Sequence, residues 1–325
     1  MLKNFAYLKA ASLDEAIQTL GSGDARVHAG GTDLLGCLRD EVFETETVVS
    51  ISGLTDLRRL RETGDGGLRI GALMRVAEVA ADPTINERYP ALAQAAGEVG
   101  TPQLRNQGTL GGNLCQKPRC WYYRGPFDCR RKGGDGCFAV RGNNEFHAIF
   151  GGVGCHIVHP SDTAPALVAL NAVGVIAGPD GQRQVPLEEF FVRPADDPER
   201  ETVLESGEVL TEVILPPVRS GQRSSYRKVR ARRSWDFSLA GMALMLVTTR
   251  EGLIEDSRVV FSGVAPIPWR SRPVERVLEG ERLTPELAVL AGEVAVESAQ
   301  PMSVNDSKVD LLRGGVESEL GRWAR

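Results

Sequence analysis

The chain has 325 residues, 42% of them hydrophobic, enough for two or three domains with a proper core, so its six cysteines are not needed as staples. Its 38 basic and 43 acidic side chains give a net charge of −5, which argues against a nucleic-acid partner, and no stretch is apolar for long enough to span a bilayer. Met1 opens a segment without a basic n-region and an apolar h-region, so a cytoplasmic chain is expected, co-export beside a partner with a twin-arginine signal being the route to the periplasm.

In chain order, SLDEAIQTL predicts an amphipathic helix with Ser12 as N-cap and Glu15 at the capping-box position. ARVHAGGTDLL predicts a strand running into a glycine turn, TVVSISGL and GLRIGALM predict strands, and RVAEVAAD and YPALAQAAGEV predict helices. The stretch from Gln116 to Gly154 is irregular and polar, and such a length is uncommon inside a compact domain unless it is functional or disordered. CHIVHPSDTAPALVALNAVGVIAG then predicts a strand beginning at Cys155, a helix and a second strand. Pro216 and Pro217 cannot continue a ladder, which places a domain boundary between residues 1–217, carrying the insert 116–155, and residues 218–325. Beyond it SSYRKVRARRS, FSLAGMALMLVTTR and LIEDSRVVFSGVAP predict an antiparallel sheet with REGL as a hairpin turn, followed by three helices. The fold class is α+β.

Two glycine turns carry the first chemical signal. Ala29 to Leu35 comes straight off a strand, and Gly30 and Gly31 allow positive φ and close approach, so that successive amides can face one anion such as a pyrophosphate. Arg105 to Gln116 is again glycine-rich, with Thr and Asn to bond phosphate or ribose oxygens. Neither matches GxGxxG or the P-loop, which disfavours a Rossmann or Walker site, but a dinucleotide held between two such turns is physically sensible.

Five motifs in order, AGGTDLL, TPQLRNQGTLGGNL, HPSDTAPALVALNA, YRKVRARRSWDFSLAGMAL and GVAPIPWRS, resemble the FAD-binding medium subunits of the molybdenum hydroxylases, the xanthine dehydrogenase and aldehyde oxidoreductase family, across essentially the whole chain. The resemblance implies a two-part FAD-binding domain of the PCMH (vanillyl-alcohol-oxidase-like) type followed by a smaller α+β domain. It implies that the backbone of Val27, His28, Ala29, Gly30, Gly31, Thr32, Asp33 and Leu34 wraps the FAD pyrophosphate. Thr109, Gly112 and Asn113 would hold the flavin end, with Thr101 placed only by its distance ahead of Thr109. Asp162 would accept from the adenosine or ribityl part, Leu210 would pack on the isoalloxazine, and Lys228 would reach the ring from the second domain. From residues alone, Asp162 reads equally as an N-cap pair with Ser161, and Lys228 as one more solvated charge on a basic strand.

The insert holds Cys120, Cys129 and Cys137, with Cys155 at its far end. No CxxC pair selects the metal, so composition leaves a four-thiolate zinc site and an iron–sulfur cluster even. The medium subunits of 4-hydroxybenzoyl-CoA reductase and of bacterial heterotrimeric aldehyde oxidoreductases are similar in carrying such a loop, and that resemblance implies a [4Fe-4S] cluster. Arg119, Arg124, Arg130, Arg131 and Lys132 are expected to lower the thiol pKa values. Trp121, Tyr122, Tyr123 and Phe127 are expected to shield the cluster or anchor the loop; Cys37 and Cys115 read as packing residues, and His147 and His156 rank behind Cys155 as ligands.

The function implied is an electron-transfer subunit with FAD and [4Fe-4S]. Its partners would be a large molybdopterin-binding subunit, which holds the substrate pocket, a small [2Fe-2S] subunit and an external electron acceptor or donor. No side chain here is required as a general acid or base. The rival is a zinc-stapled nucleotide-binding regulatory subunit without redox activity.

Overall fold

The computed structural model describes residues 2–324. Helix Leu13–Gly21 begins where Ser12 Oγ accepts from the Glu15 amide at 3.1 Å, while Glu15 Oε2 accepts from the Ala11 amide at 2.6 Å. Its buried residues Ala16, Ile17 and Leu20 share a core with the three-stranded parallel sheet Ala6–Lys9, Thr47–Ser50, Ala25–His28. Thr47–Ser50 is central and its Val48 and Val49 are fully buried, as a parallel strand covered on both faces requires. The strand Ala25–His28 ends in the first glycine turn and hands over to the short helix Leu34–Arg39.

A five-stranded antiparallel sheet follows, in the order Leu60–Glu62, Leu68–Gly71, Val209–Leu215, Val173–Gly178, Gly181–Pro186. Helices Val76–Ala81, Pro90–Gly97 and Thr163–Ala169 build the main core with it. The third sheet, Gln222–Val229, Ala240–Thr248, Ile254–Ser262 and Trp269–Arg270, is antiparallel, as expected. Its hairpin turn closes through the Thr249 amide on Leu253 O at 2.8 Å, with Gly252 at φ 82.

Strand Ala240–Thr248 divides its faces. Met242, Leu244 and Leu246 join the C-terminal helices Arg272–Leu278, Pro285–Val296 and Ser307–Trp323, whereas Ala243, Met245 and Val247 belong to the main core. The period of two therefore welds the second unit onto the first, and burying Met245 and Val247 is worth roughly 1.5–3 kcal/mol each.

The insert is folded and tied down on two sides. Toward the C-terminal unit, Asn144 Nδ2 donates to Ser303 Oγ at 2.9 Å, Asn305 Nδ2 to His147 O at 3.0 Å, and Lys308 Nζ to the carbonyls of Phe146, His147 and Gly263 at 2.9, 3.0 and 2.7 Å. The strand expected from Cys155 does not form. The flanking amides of Ile149, Phe150 and His159 bond instead to the carbonyls of Val264 and Ala265, so this segment follows a corner of the third sheet rather than a ladder.

Candidate functional site

The two glycine turns meet. Gly30 packs so closely on Gln107 and Gly108 that a Cβ there has no room, and Gln107 Nε2 donates to Gly30 O at 3.2 Å. Between them opens a cleft of about 900 Å³, of a size that takes a large cofactor. Val27, Ala29, Gly30, Gly31, Thr32, Asp33, Leu34, Thr109, Gly112, Asn113, Asp162 and Leu210 all line it.

The turns contribute different chemistry. In the first, the amides of Gly30, Gly31, Thr32, Asp33 and Leu34 have no acceptor among the described residues, a run of donors suited to a pyrophosphate. In the second, the amides are largely used: Gly111 donates to Ala72 O at 2.8 Å and Gly112 to Thr109 Oγ1 at 3.2 Å. It offers a side chain instead. Asn113 Oδ1 accepts from Ser161 Oγ at 2.6 Å and Thr163 Oγ1 at 2.7 Å, which fixes the amide and leaves its NH₂ without a protein partner among the described residues.

Charge in the cleft is nearly all matched. Glu201 pairs with Lys117 and with Arg131 at 2.6 Å, Glu208 with Arg183 at 2.7 Å, Asp33 with Arg119 and Arg124, and Asp162 with Lys228. Arg26 and Arg39 line the same space, so an anionic ligand meets no uncompensated carboxylate near the first turn.

Three residues of the implied set stand outside the cleft. The ring of His28 backs Gly31, which sits at φ 72, and a Cβ on Gly31 would come within 2.6 Å of His28 Nε2 rather than point at a ligand. Thr101 caps the helix Pro102–Gln107 by accepting from the Leu104 amide at 3.3 Å. Lys228 is neither a solvated charge nor a cleft residue. Its side chain is 1% exposed, and Nζ donates to Asp162 Oδ2 at 2.8 Å and to Glu98 O at 3.1 Å. Asp162 also accepts from Tyr226 OH at 2.7 Å, while the Ala164 amide goes to Ser161 Oγ at 3.0 Å, so Ser161 alone supplies the helix cap. Burial pushes the Asp162 carboxyl above its ordinary value, against the pull of Lys228 and Tyr226. Tyr226 went unread in the sequence, although it stands two residues before Lys228 on the same face of one strand.

Sequence reasoning also missed the part played by Asp33. Its Oδ2 accepts from the Lys117 amide at 2.7 Å and its Oδ1 from Arg124 at 2.7 Å, with Arg119 at 2.8 Å, so the first turn is tied to the start of the insert. Glu201 holds the insert a second time through Lys117 and the buried Arg131.

Cys120, Cys129, Cys137 and Cys155 line one small cavity, together with Tyr122, Tyr123, His147 and His156 and with no carboxylate. His147 Nε2 lies 3.3 Å from Cys120 Sγ, and its Nδ1 is buried without a partner among the described residues. Tyr122, Phe127 and Phe138 pack over the cavity with centroids 5.1 to 6.2 Å apart. Among the described residues no three His, Cys, Asp or Glu side chains are close enough to hold a single metal ion.

The expected lowering of the thiol pKa values is reversed at Cys120 and Cys155. Burial pushes Cys120 up to about 11 and raises Cys155 as well, where it outweighs the opposing pull of Arg131. Cys37 is buried beside Val42, Tyr123 and Cys129, and Cys115 packs against the main core, as read from the sequence. No helix among the described residues is long and apolar enough to cross a membrane.

Residues 3–218 match the family described as the FAD binding domain in molybdopterin dehydrogenase, and residues 224–311 the CO dehydrogenase flavoprotein C-terminal domain. The chain is 34% identical to the aldehyde oxidoreductase FAD-binding subunit PaoB of Escherichia coli strain K12, over 98% of each. It is 27% identical to the carbon monoxide dehydrogenase medium chain of Hydrogenophaga pseudoflava, over 91% of this chain and 88% of that one. Carbon monoxide dehydrogenase from Hydrogenophaga pseudoflava also superposes with a TM-score of 0.79 at 26% identity, covering 100% of this chain and 99% of the other. Quinoline 2-oxidoreductase from Pseudomonas putida 86, at 23% identity and a TM-score of 0.77 over 100% and 99%, shares the fold. These relatives give no support to a regulatory subunit without redox activity. With a mixed α+β fold, a cleft between two glycine turns and similarity over its full length, the chain belongs to the FAD-binding medium subunits of the molybdenum hydroxylase family, as a subunit of an oxidoreductase complex.

Proposed function

We propose that this chain is the electron-transfer subunit of a heterotrimeric molybdenum hydroxylase and holds FAD in residues 1–217 and a [4Fe-4S] cluster in the insert 116–155. It would stand between the [2Fe-2S] clusters of a small partner and an external acceptor or donor, with substrate handled on a large molybdopterin-binding partner. When bound, FAD exchanges electrons in pairs or singly and the cluster singly, which suits a converter between the two kinds of carrier. The protein's share is to bind and orient. The free amides of residues 30–34 would take the pyrophosphate, Asn113 and Thr109 the polar atoms further along, and Leu210 an apolar face of the cleft. Lys228 and Tyr226 would act behind Asp162, fixing its carboxylate.

The observation that carries the cluster is the convergence of Cys120, Cys129, Cys137 and Cys155 on one carboxylate-free cavity. Four soft donors exclude hard cations. Four thiolates suit zinc and an iron–sulfur cluster alike, and the resemblance to medium subunits that carry such a loop favours the cluster.

The test is metal and flavin content with electron paramagnetic resonance of the reduced protein. Ser replacement of Cys120, Cys129, Cys137 or Cys155 is expected to remove or degrade one [4Fe-4S] signal, while Cys37→Ser and Cys115→Ser keep it. Zinc without iron in the wild-type chain would overturn the redox role of the loop; a full cluster in Cys155→Ser together with its loss in His147→Ala would replace Cys155 by His147 in the ligand set.

A further inference from the structure

Asp33 belongs to both sites at once. Its backbone lies in the run of unpartnered amides from Gly30 to Leu34, and its carboxylate holds the Lys117 amide, Arg119 and Arg124. An anion on those amides lies close to the negative charge of Asp33, and the two arginines offset that charge only while the insert stands in place. Arg124 ends the short helix Trp121–Arg124, whose N-cap is Cys120, and the Arg124 amide donates to Cys120 O at 2.9 Å. Whatever fixes Cys120 therefore fixes the cation on Asp33. Arg119, the residue before Cys120, also pairs with Asp33 at 2.8 Å and lies over the Phe237 ring at 5.4 Å at the edge of the cleft.

We propose that Asp33 is a positioning residue that couples the two sites, so that metal on the thiol loop raises the affinity of the first glycine turn for the FAD pyrophosphate. This rests on the thiol loop being a metal site. With the loop ordered, Asp33 is neutralised; with the loop loosened, its bare carboxylate repels the phosphates. By linkage, FAD must tighten metal retention by the same factor.

The test is a thermodynamic cycle on the flavin-free full-length chain, measuring the FAD Kd by flavin fluorescence with the loop metal-loaded and after chelation under reducing conditions. Wild type is expected to bind FAD about tenfold more weakly without metal. Asp33→Asn, which keeps the shape and loses the charge, is expected to bind alike in both forms. Arg124→Gln is expected to bring the loaded form toward the metal-free affinity. An Asp33 that merely supports the turn would lower both affinities together and leave their ratio unchanged, which overturns the proposal, as does a wild-type affinity indifferent to metal. Cys120→Ser separates the two readings. If it keeps its full metal content, Cys120 leaves the ligand set and the coupling through its helix to Asp33 falls; if it loses metal and binds FAD as wild type does, the metal site stands and the coupling falls.

Discussion

Lys228→Met tests whether the buried pair with Asp162 supports the fold rather than acting on the flavin directly. The two side chains are 1% and 5% exposed with Nζ and Oδ2 2.8 Å apart, so at an effective dielectric of 20 their attraction is about 6 kcal/mol before desolvation. Removing the cation leaves Asp162 with Tyr226 as its remaining partner, and a broken buried pair typically costs about 3–5 kcal/mol. The pH dependence has a definite sign. Burial already raises the Asp162 carboxyl while Lys228 lowers it, so the variant moves it higher still. Because a raised carboxyl favours the protonated folded form, the penalty should be largest at neutral pH and shrink as Asp162 takes up a proton in mild acid. Urea unfolding followed by circular dichroism at pH 7 and pH 5 measures both, and Lys228→Met with Asp162→Asn should recover much of the loss. Wild-type stability at pH 7, or a gap that does not change with pH, would refute the reasoning.

Two further changes probe the turn and the insert. Gly31→Val should lower flavin content while iron is retained, through the cost of a branched residue at φ 72 and the clash with His28 rather than through a side chain in the phosphate path; full flavin occupancy would refute this. Lys308→Met strips the donor from three carbonyls and should cost at least about 2 kcal/mol in unfolding titrations. Burial lowers Lys308 to about 7, so the unfolded chain binds the extra proton between there and its ordinary value, and wild type should gain stability across that window in a way Lys308→Met does not.

The local signals in the sequence carried far. Ser12 with Glu15, the double glycine after Ala25–His28 and the apolar run in Ala240–Thr248 each have a mechanism acting within a few residues, and each element formed where that mechanism placed it. Thr101 carried a signal that was not used: a threonine before a proline at the first helical position marks a helix cap. What escaped depends on partners far along the chain. Arg124 meets Asp33 across 91 positions and Arg131 meets Glu201 across 70, so the basic residues near the cysteines gave no warning that acids elsewhere would claim Arg119, Arg124 and Arg131. The aim of Lys228 was hidden likewise, since a period of two assigns it to a face without saying what lies opposite.

The divided strand Ala240–Thr248 bears on how the protein is made. A chain emerging from its N-terminus would have all of residues 1–217 available while the main core still lacks Ala243, Met245 and Val247 from this strand and Val260 from the next. At about 5–20 residues per second, the interval before those side chains arrive is measured in seconds, long enough for an unfinished apolar surface to meet other chains. The proline pair at Pro216 and Pro217 thus separates two units in the sequence without marking a point at which synthesis could pause on a finished module.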